Sequence, residues 1–185
     1  MVKKNIIGFG ASSMAGVGDS IGEGFFKRIQ SKLTNYSFIN LGVGGFTTKD
    51  MLIQSKKAEN FKPYDLIVLL GCNDLPRKND SKPQNRTTLD EYEQNLDKIL
   101  TQIKGEKNTF ITSFPVDFLK SGISSIHFES YIACAKSVAI KNQYEVIDLY
   151  SIIKNSQNDF LASDGMHFNS DGHQFIADLI IKNRQ

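Results

Sequence analysis

Five short runs rich in Ile, Val, Leu and Phe, separated by stretches with helical spacing, constrain the fold of this chain more than any other feature. The runs are Lys4 to Phe9, Tyr36 to Leu41, Leu66 to Leu70, Asn108 to Ser113 and Glu145 to Ile147. Strands whose apolar residues run on without alternation are covered by helices on both faces, so the pattern predicts an α/β fold with a mostly parallel sheet.

The intervening stretches support this. Gly24 to Leu33 and Thr48 to Ala58 read as helices, the second stopping before Pro63, which biases the chain toward extension. Thr88-Leu89-Asp90-Glu91 has capping-box spacing and leads into an apolar stripe of Tyr92, Leu96, Ile99, Leu100 and Ile103 that stops at Gly105. Phe128, Tyr131, Ile132, Ala135, Val138 and Ala139 form a second stripe, and Phe175, Ile176, Leu179 and Ile180 a third. These stripes are expected to be core. A length of 185 residues suits a single domain over 1–185, with one long connection from Leu75 to Thr87 that reads as a lid or a solvated loop.

A formal net charge of +2 supplies no field for gripping nucleic acid. The start, Met1 to Ile7, is too short for a signal-peptide core or a membrane span, so the expectation is a cytoplasmic protein without a membrane span. Cys72 and Cys134 have no metal-ligand spacing and are expected to be reduced. No metal or cofactor is expected, and the oligomeric state stays open.

Parallel strands deliver the residues that follow them to one edge of the sheet, where open α/β sheets place their sites. After the first strand comes Gly10-Ala11-Ser12-Ser13-Met14-Ala15-Gly16, a small-residue turn suited to holding a serine out of the core. A serine hydroxyl attacks an ester only when a base takes its proton and a third group holds that base in the useful tautomer. Asp164-Gly165-Met166-His167 places a carboxylate and an imidazole on one turn and could supply both. The oxyanion of a tetrahedral intermediate needs preorganised donors. The glycines of Asn40-Leu41-Gly42-Val43-Gly44-Gly45 and the amide of Asn73 in Gly71-Cys72-Asn73-Asp74 are candidates, with Gly42 and Gly44 competing with Gly45.

Taken in order, Gly-Ala-Ser-Ser, Asn-x-Gly-x-x-Gly, Gly-x-Asn-Asp and Asp-x-x-His resemble the blocks of the SGNH (GDSL-like) hydrolases, over Ile7 to about Ala177. The resemblance implies a flavodoxin-like three-layer α/β/α sandwich with a five-stranded sheet of order 2-1-3-4-5. It also implies an esterase or acylhydrolase with nucleophile Ser12, base His167 and orienter Asp164. The oxyanion donors it implies are the Ser12 and Gly45 backbone amides and the Asn73 side chain. The substrate class is then a small-molecule ester, of small or medium acyl length, or a thioester or acetylated sugar.

One position departs from the family. Its usual Gly-Asp-Ser opening is Gly10-Ala11-Ser12 here, which removes a carboxylate beside the nucleophile but no member of the triad. The literal Gly18-Asp19-Ser20-Ile21 lies well past the first strand, near the next helix, where Ser or Asp commonly cap. Other histidines read as structural, His173 in the first turn of the last helix behind Ser170 as cap, and His127 at the opening of another. Phe118 and Leu119, after the fourth strand, could wall an acyl pocket. Arg77, Lys78, Lys82 and Arg86 could attract an anionic group, although a charge run in a loop is usually solvated. The rival readings are a flavodoxin-like binding module cradling a phosphate and a degenerate family member that binds acylated ligands without turnover.

Overall fold

The computed structural model describes residues 3–62, 64–77 and 87–184. Lys78, Lys82, Arg86 and most of the Leu75-to-Thr87 connection lie outside them. Five parallel strands form one sheet: β1 (Lys4–Gly10), β2 (Tyr36–Asn40), β3 (Tyr64–Leu69), β4 (Asn108–Ile111) and β5 (Glu145–Ile147). Their order is β2-β1-β3-β4-β5, the expected flavodoxin-like arrangement. β3 is buried along its whole length, which is why Tyr64 to Leu69 reads as an unbroken apolar run apart from Asp65.

Among the described residues six α-helices cover the sheet: α1 (Gly24–Lys32), α2 (Thr48–Gln54), α3 (Leu89–Gln102), α4 (Phe128–Lys141), α5 (Leu149–Lys154) and α6 (Ser170–Lys182). α1 packs against α6, while α2, α3 and α4 pack in series, giving the two helical layers of the sandwich. The predicted stripe on α3 is buried throughout, and Thr88 and Glu91 form the capping box seen in the sequence.

Three elements differ from expectation. The helix predicted over Thr48 to Ala58 leaves α-geometry after Gln54 and tightens to a 3₁₀ segment over Ser55–Phe61. Ser55 Oγ there donates to Leu52 O at 2.7 Å, competing with the helical ladder, and Lys62 is extended ahead of Pro63. α5 has only six residues and lies below the length at which periodicity speaks; Asp148 caps it by accepting from Ser151 N, and it buries Leu149 and Ile153. α6 is capped by Asn169, which accepts from Gly172 N, and not by Ser170. Cys72 and Cys134 are free thiols. No helix among the described residues is long and apolar enough to cross a membrane.

Candidate active site

β1 ends at Gly10, and the chain turns at once through helical hydrogen bonds, Ala15 N to Ala11 O at 3.1 Å and Val17 N to Ser12 O at 3.0 Å. Buried Met14 anchors this turn in the core, and Asn40 at the end of β2 braces it by donating to Met14 O at 2.9 Å. Ser12 is thereby held at the sheet edge, half-buried, on a small cleft. Ser13, Cys72, Asn73, Ser113 and Phe114 share the lining of that cleft with it.

Asn73 arrives from the end of β3. Its side chain is buried, and Nδ2 donates to Phe46 O at 2.9 Å, tying it to the loop that carries Gly45. Gly45 has φ +80°, and a Cβ there would meet nothing within 4 Å, so the residue supplies a left-handed turn rather than room for a neighbour. The next side chain, Asp74, is buried and accepts from Thr48 N (3.0 Å), Thr48 Oγ1 (2.7 Å) and Thr87 Oγ1 (2.6 Å). Burial raises its pKa against the pull of these donors. Asp74 thus pins the start of α2 to the end of β3 and steadies both sides of the Asn73–Phe46 contact.

The fourth segment is a tight turn closed by Ala162 N to His167 O at 2.8 Å and an isolated bridge between Leu161 and Phe168. Within it Asp164 Oδ1 accepts from the backbone N–H groups of Met166 and His167, both at 2.9 Å. Oδ2 lies 2.6 Å from His167 Nδ1. Burial pushes the Asp164 carboxyl up, but the His167 backbone N–H, the His167 ring and the Met166 N–H outweigh it and hold the group at about 2. An ionised carboxylate only accepts, so Nδ1 carries the proton in this contact and Nε2 carries the lone pair, the tautomer a general base requires.

The two ends of the chain meet here. Gly18 has φ +94°, and a Cβ on it would collide with Phe168 O and lie 2.7 Å from His167 Cβ, so the segment following Ser12 packs directly on the Phe168 carbonyl and the root of the His167 side chain. Two buried groups hold the pair of segments together. His173 on α6 accepts from Phe25 N at Nδ1 and donates from Nε2 to Val17 O, both at 3.2 Å. Burial lowers its pKa and keeps it neutral in that tautomer. Arg28 on α1 donates to Asp19 Oδ2 at 2.7 Å, Ser170 O at 2.8 Å and Ser170 Oγ at 2.9 Å. Asp19 also accepts from Gly24 N and Ile21 N, so it caps α1 in place of Glu23, whose side chain makes no capping bond. The literal Gly-Asp-Ser-Ile stretch is therefore a helix anchor, with Ser20 exposed.

Ser12 and Asn73 share one cleft, and Asp164 and His167 are hydrogen-bonded to each other. Phe118 and Leu119 lie apart from that lining: the Phe118 ring packs edge-on against Phe128 at 5.2 Å, Leu119 is 87% exposed, and Phe114 takes the wall position. Sequence reasoning missed Asp74, Arg28 and His173 as supports of the site. No group of three or more His, Cys, Asp or Glu among the described residues is arranged to hold a metal ion.

Residues 9–175 match the model of the GDSL-like lipase/acylhydrolase family. No curated protein sequence matches the chain. Among solved structures, a lipase/acylhydrolase from Enterococcus faecalis superposes with a TM-score of 0.84 at 24% identity, covering 97% of this chain and 94% of that one. An α/β hydrolase from the metagenome of Lake Arreo, Spain, gives 0.80 at 18% identity, with 97% and 94% covered. An acetylxylan esterase from Geobacillus stearothermophilus gives 0.79 at 18% identity, with 97% and 93% covered.

Proposed function

Since the chain belongs to the GDSL-like lipase/acylhydrolase family, we propose that it is a serine esterase that cleaves carboxylic esters of small acyl groups through an acyl-enzyme on Ser12. The observation that carries this reading is the 2.6 Å contact between Asp164 and His167, on a turn packed against the segment that follows Ser12. A phosphate-binding module has no use for such a pair, whereas a hydroxyl nucleophile requires it.

In the proposed cycle Nε2 of His167 takes the proton of Ser12 Oγ as that oxygen bonds to the acyl carbon. The carbonyl π-electrons move to oxygen, and the resulting oxyanion is met by the backbone N–H groups of Ser12 and Gly45 and by Asn73 Nδ2, whose orientation Phe46 O sets. Collapse of this intermediate breaks the bond to the alcohol oxygen, which leaves with the proton from His167. Water then attacks the acyl-enzyme with the same imidazole as base; collapse of the second intermediate breaks the bond to Ser12 Oγ, which takes the proton back from His167 as the acid departs. Asp164 stays ionised throughout and stabilises the imidazolium.

The cleft beside Ser12 is small, which favours an acetyl or similarly short acyl group, on a simple alcohol or a sugar. Chromogenic esters of increasing chain length, acetylated sugars and a thioester, offered to wild type and variants, test the reading. Ser12→Ala and His167→Ala are expected to lose roughly a million-fold in turnover, the loss seen where a triad acts as a unit. Turnover by Ser12→Ala at the wild-type rate ends the proposal.

A further inference from the structure

The described residues include three arginines, and two of them are locked to aspartates: Arg28 to Asp19 at 2.7 Å and Arg184 to Asp65 at 3.1 Å. Arg77 differs. Among the described residues no carboxylate lies within ion-pairing distance of it, and its guanidinium meets only the thioether of Met166, Nη2 to Sδ at 3.7 Å. A thioether is a weak acceptor and leaves the cation uncompensated.

Nor is Arg77 a free surface side chain. It is half-buried, its backbone is bridged to buried Ile123, and the preceding Pro76 accepts from Ser124 N at 2.9 Å. The bridge holds the base of the side chain, and the Met166 contact places its head beside the turn that carries Asp164 and His167. Burial pushes the thiol of the cleft-lining Cys72 up, and the charge of Arg77 pulls it down. The guanidinium therefore stands beside the turn that carries Asp164 and His167, held at its base and, among the described residues, without a counter-ion. A planar fork of N–H donors in that condition matches a carboxylate or a phosphate.

We propose that Arg77 is a specificity-determining residue that binds an anionic group, carboxylate or phosphate, carried by the ester substrate close to its scissile bond. This rests on the esterase reading of the same site. The anion can sit on the acyl or on the alcohol side, and two matched pairs separate these sources: monoethyl succinate against ethyl 4-oxopentanoate, and 4-acetoxybenzoate against 4-acetoxybenzamide.

The wild type is expected to favour the charged member of one pair by about tenfold in kcat/KM, the scale of one charge-assisted hydrogen-bonded contact at a half-buried site. That ratio is expected to fall to about one in Arg77→Met, to be intermediate in Arg77→Lys, and to shrink at about 0.5 M salt. Lys120→Met serves as control: this cation lies near the same turn but is paired with Asp117, and the ratio should survive its loss. A wild-type ratio near one in both pairs, or an unchanged ratio in Arg77→Met, overturns the proposal. Hydrolysis of the neutral esters that disappears in Ser12→Ala upholds the esterase reading whatever the ratio. If no ester is turned over, calorimetric titration of both charged esters decides: equal affinity for Ser12→Ala and Ser12→Ala/Arg77→Met overturns the role of Arg77, and affinity at least tenfold weaker in the double variant supports it.

Discussion

Replacing Asp19 with Asn probes the clamp that ties the segment after Ser12 to α1 and, through Arg28, to the start of α6. The Asp19 side chain is fully buried and that of Arg28 nearly so, and the carboxyl collects the Arg28 guanidinium and two backbone N–H groups. Burial pushes its pKa up, but those donors prevail and bring it from 3.8 to about 2. A depression of that size corresponds to roughly 2 kcal/mol of stability at neutral pH. The folded pKa is the lower one, so this contribution is complete above the ordinary carboxylate range and is lost as pH falls from about 4 through about 2, with roughly 1 kcal/mol gone by pH 3. Asn also strands Arg28 as an unpaired buried cation, and breaking such pairs costs about 3 to 5 kcal/mol. We therefore expect Asp19→Asn to lose about 3 kcal/mol and to melt roughly 6 to 12 °C lower. The chain has no tryptophan, so urea unfolding followed by far-UV circular dichroism is the assay. The gap between wild type and variant should narrow by about 1 kcal/mol between pH 7 and pH 3. A gap below about 0.5 kcal/mol at pH 7, the range of ordinary surface substitutions, or one indifferent to pH, refutes the reasoning.

Two further outcomes follow from the site. Asn73→Ala should lower kcat by about 100- to 1000-fold with a smaller change in KM, as for loss of one oxyanion donor, and initial rates on the best ester decide it. Asp164→Asn should cost roughly 1000- to 10 000-fold by freeing the His167 ring to take the wrong tautomer. Because Asp164 is held at about 2, its protonation cannot limit the wild-type rate above pH 4; a pH–rate break near 4 that vanishes in Asp164→Asn would contradict that assignment.

The parts of this account legible in the sequence are those carried by local pattern. β5 begins and ends where its apolar run does, and the α3 capping box is written in Thr88 and Glu91. Asp164 and His167 meet because they stand three positions apart on one turn. What stayed hidden depends on contacts across the chain. Arg28 finds Ser170, and His173 finds Val17 O and Phe25 N, so no window around either residue contains its partners. Asp74 sits in a block whose asparagine draws attention first, and its role becomes visible only when Thr48 and Thr87 close over it. Leu119 shows the converse: an apolar residue after a strand suggested a pocket wall, but the turn that Asp117 caps projects it into solvent.

Reaction with a fluorophosphonate, followed by peptide mass spectrometry, reads the activation of Ser12 itself, because only an activated serine reacts quickly. The account predicts one adduct per chain, on Ser12, that is lost in Ser12→Ala and forms far more slowly in His167→Ala. Modification of Ser13 or Ser20 instead, or ester hydrolysis by a protein whose Ser12 stays unlabelled, would contradict it.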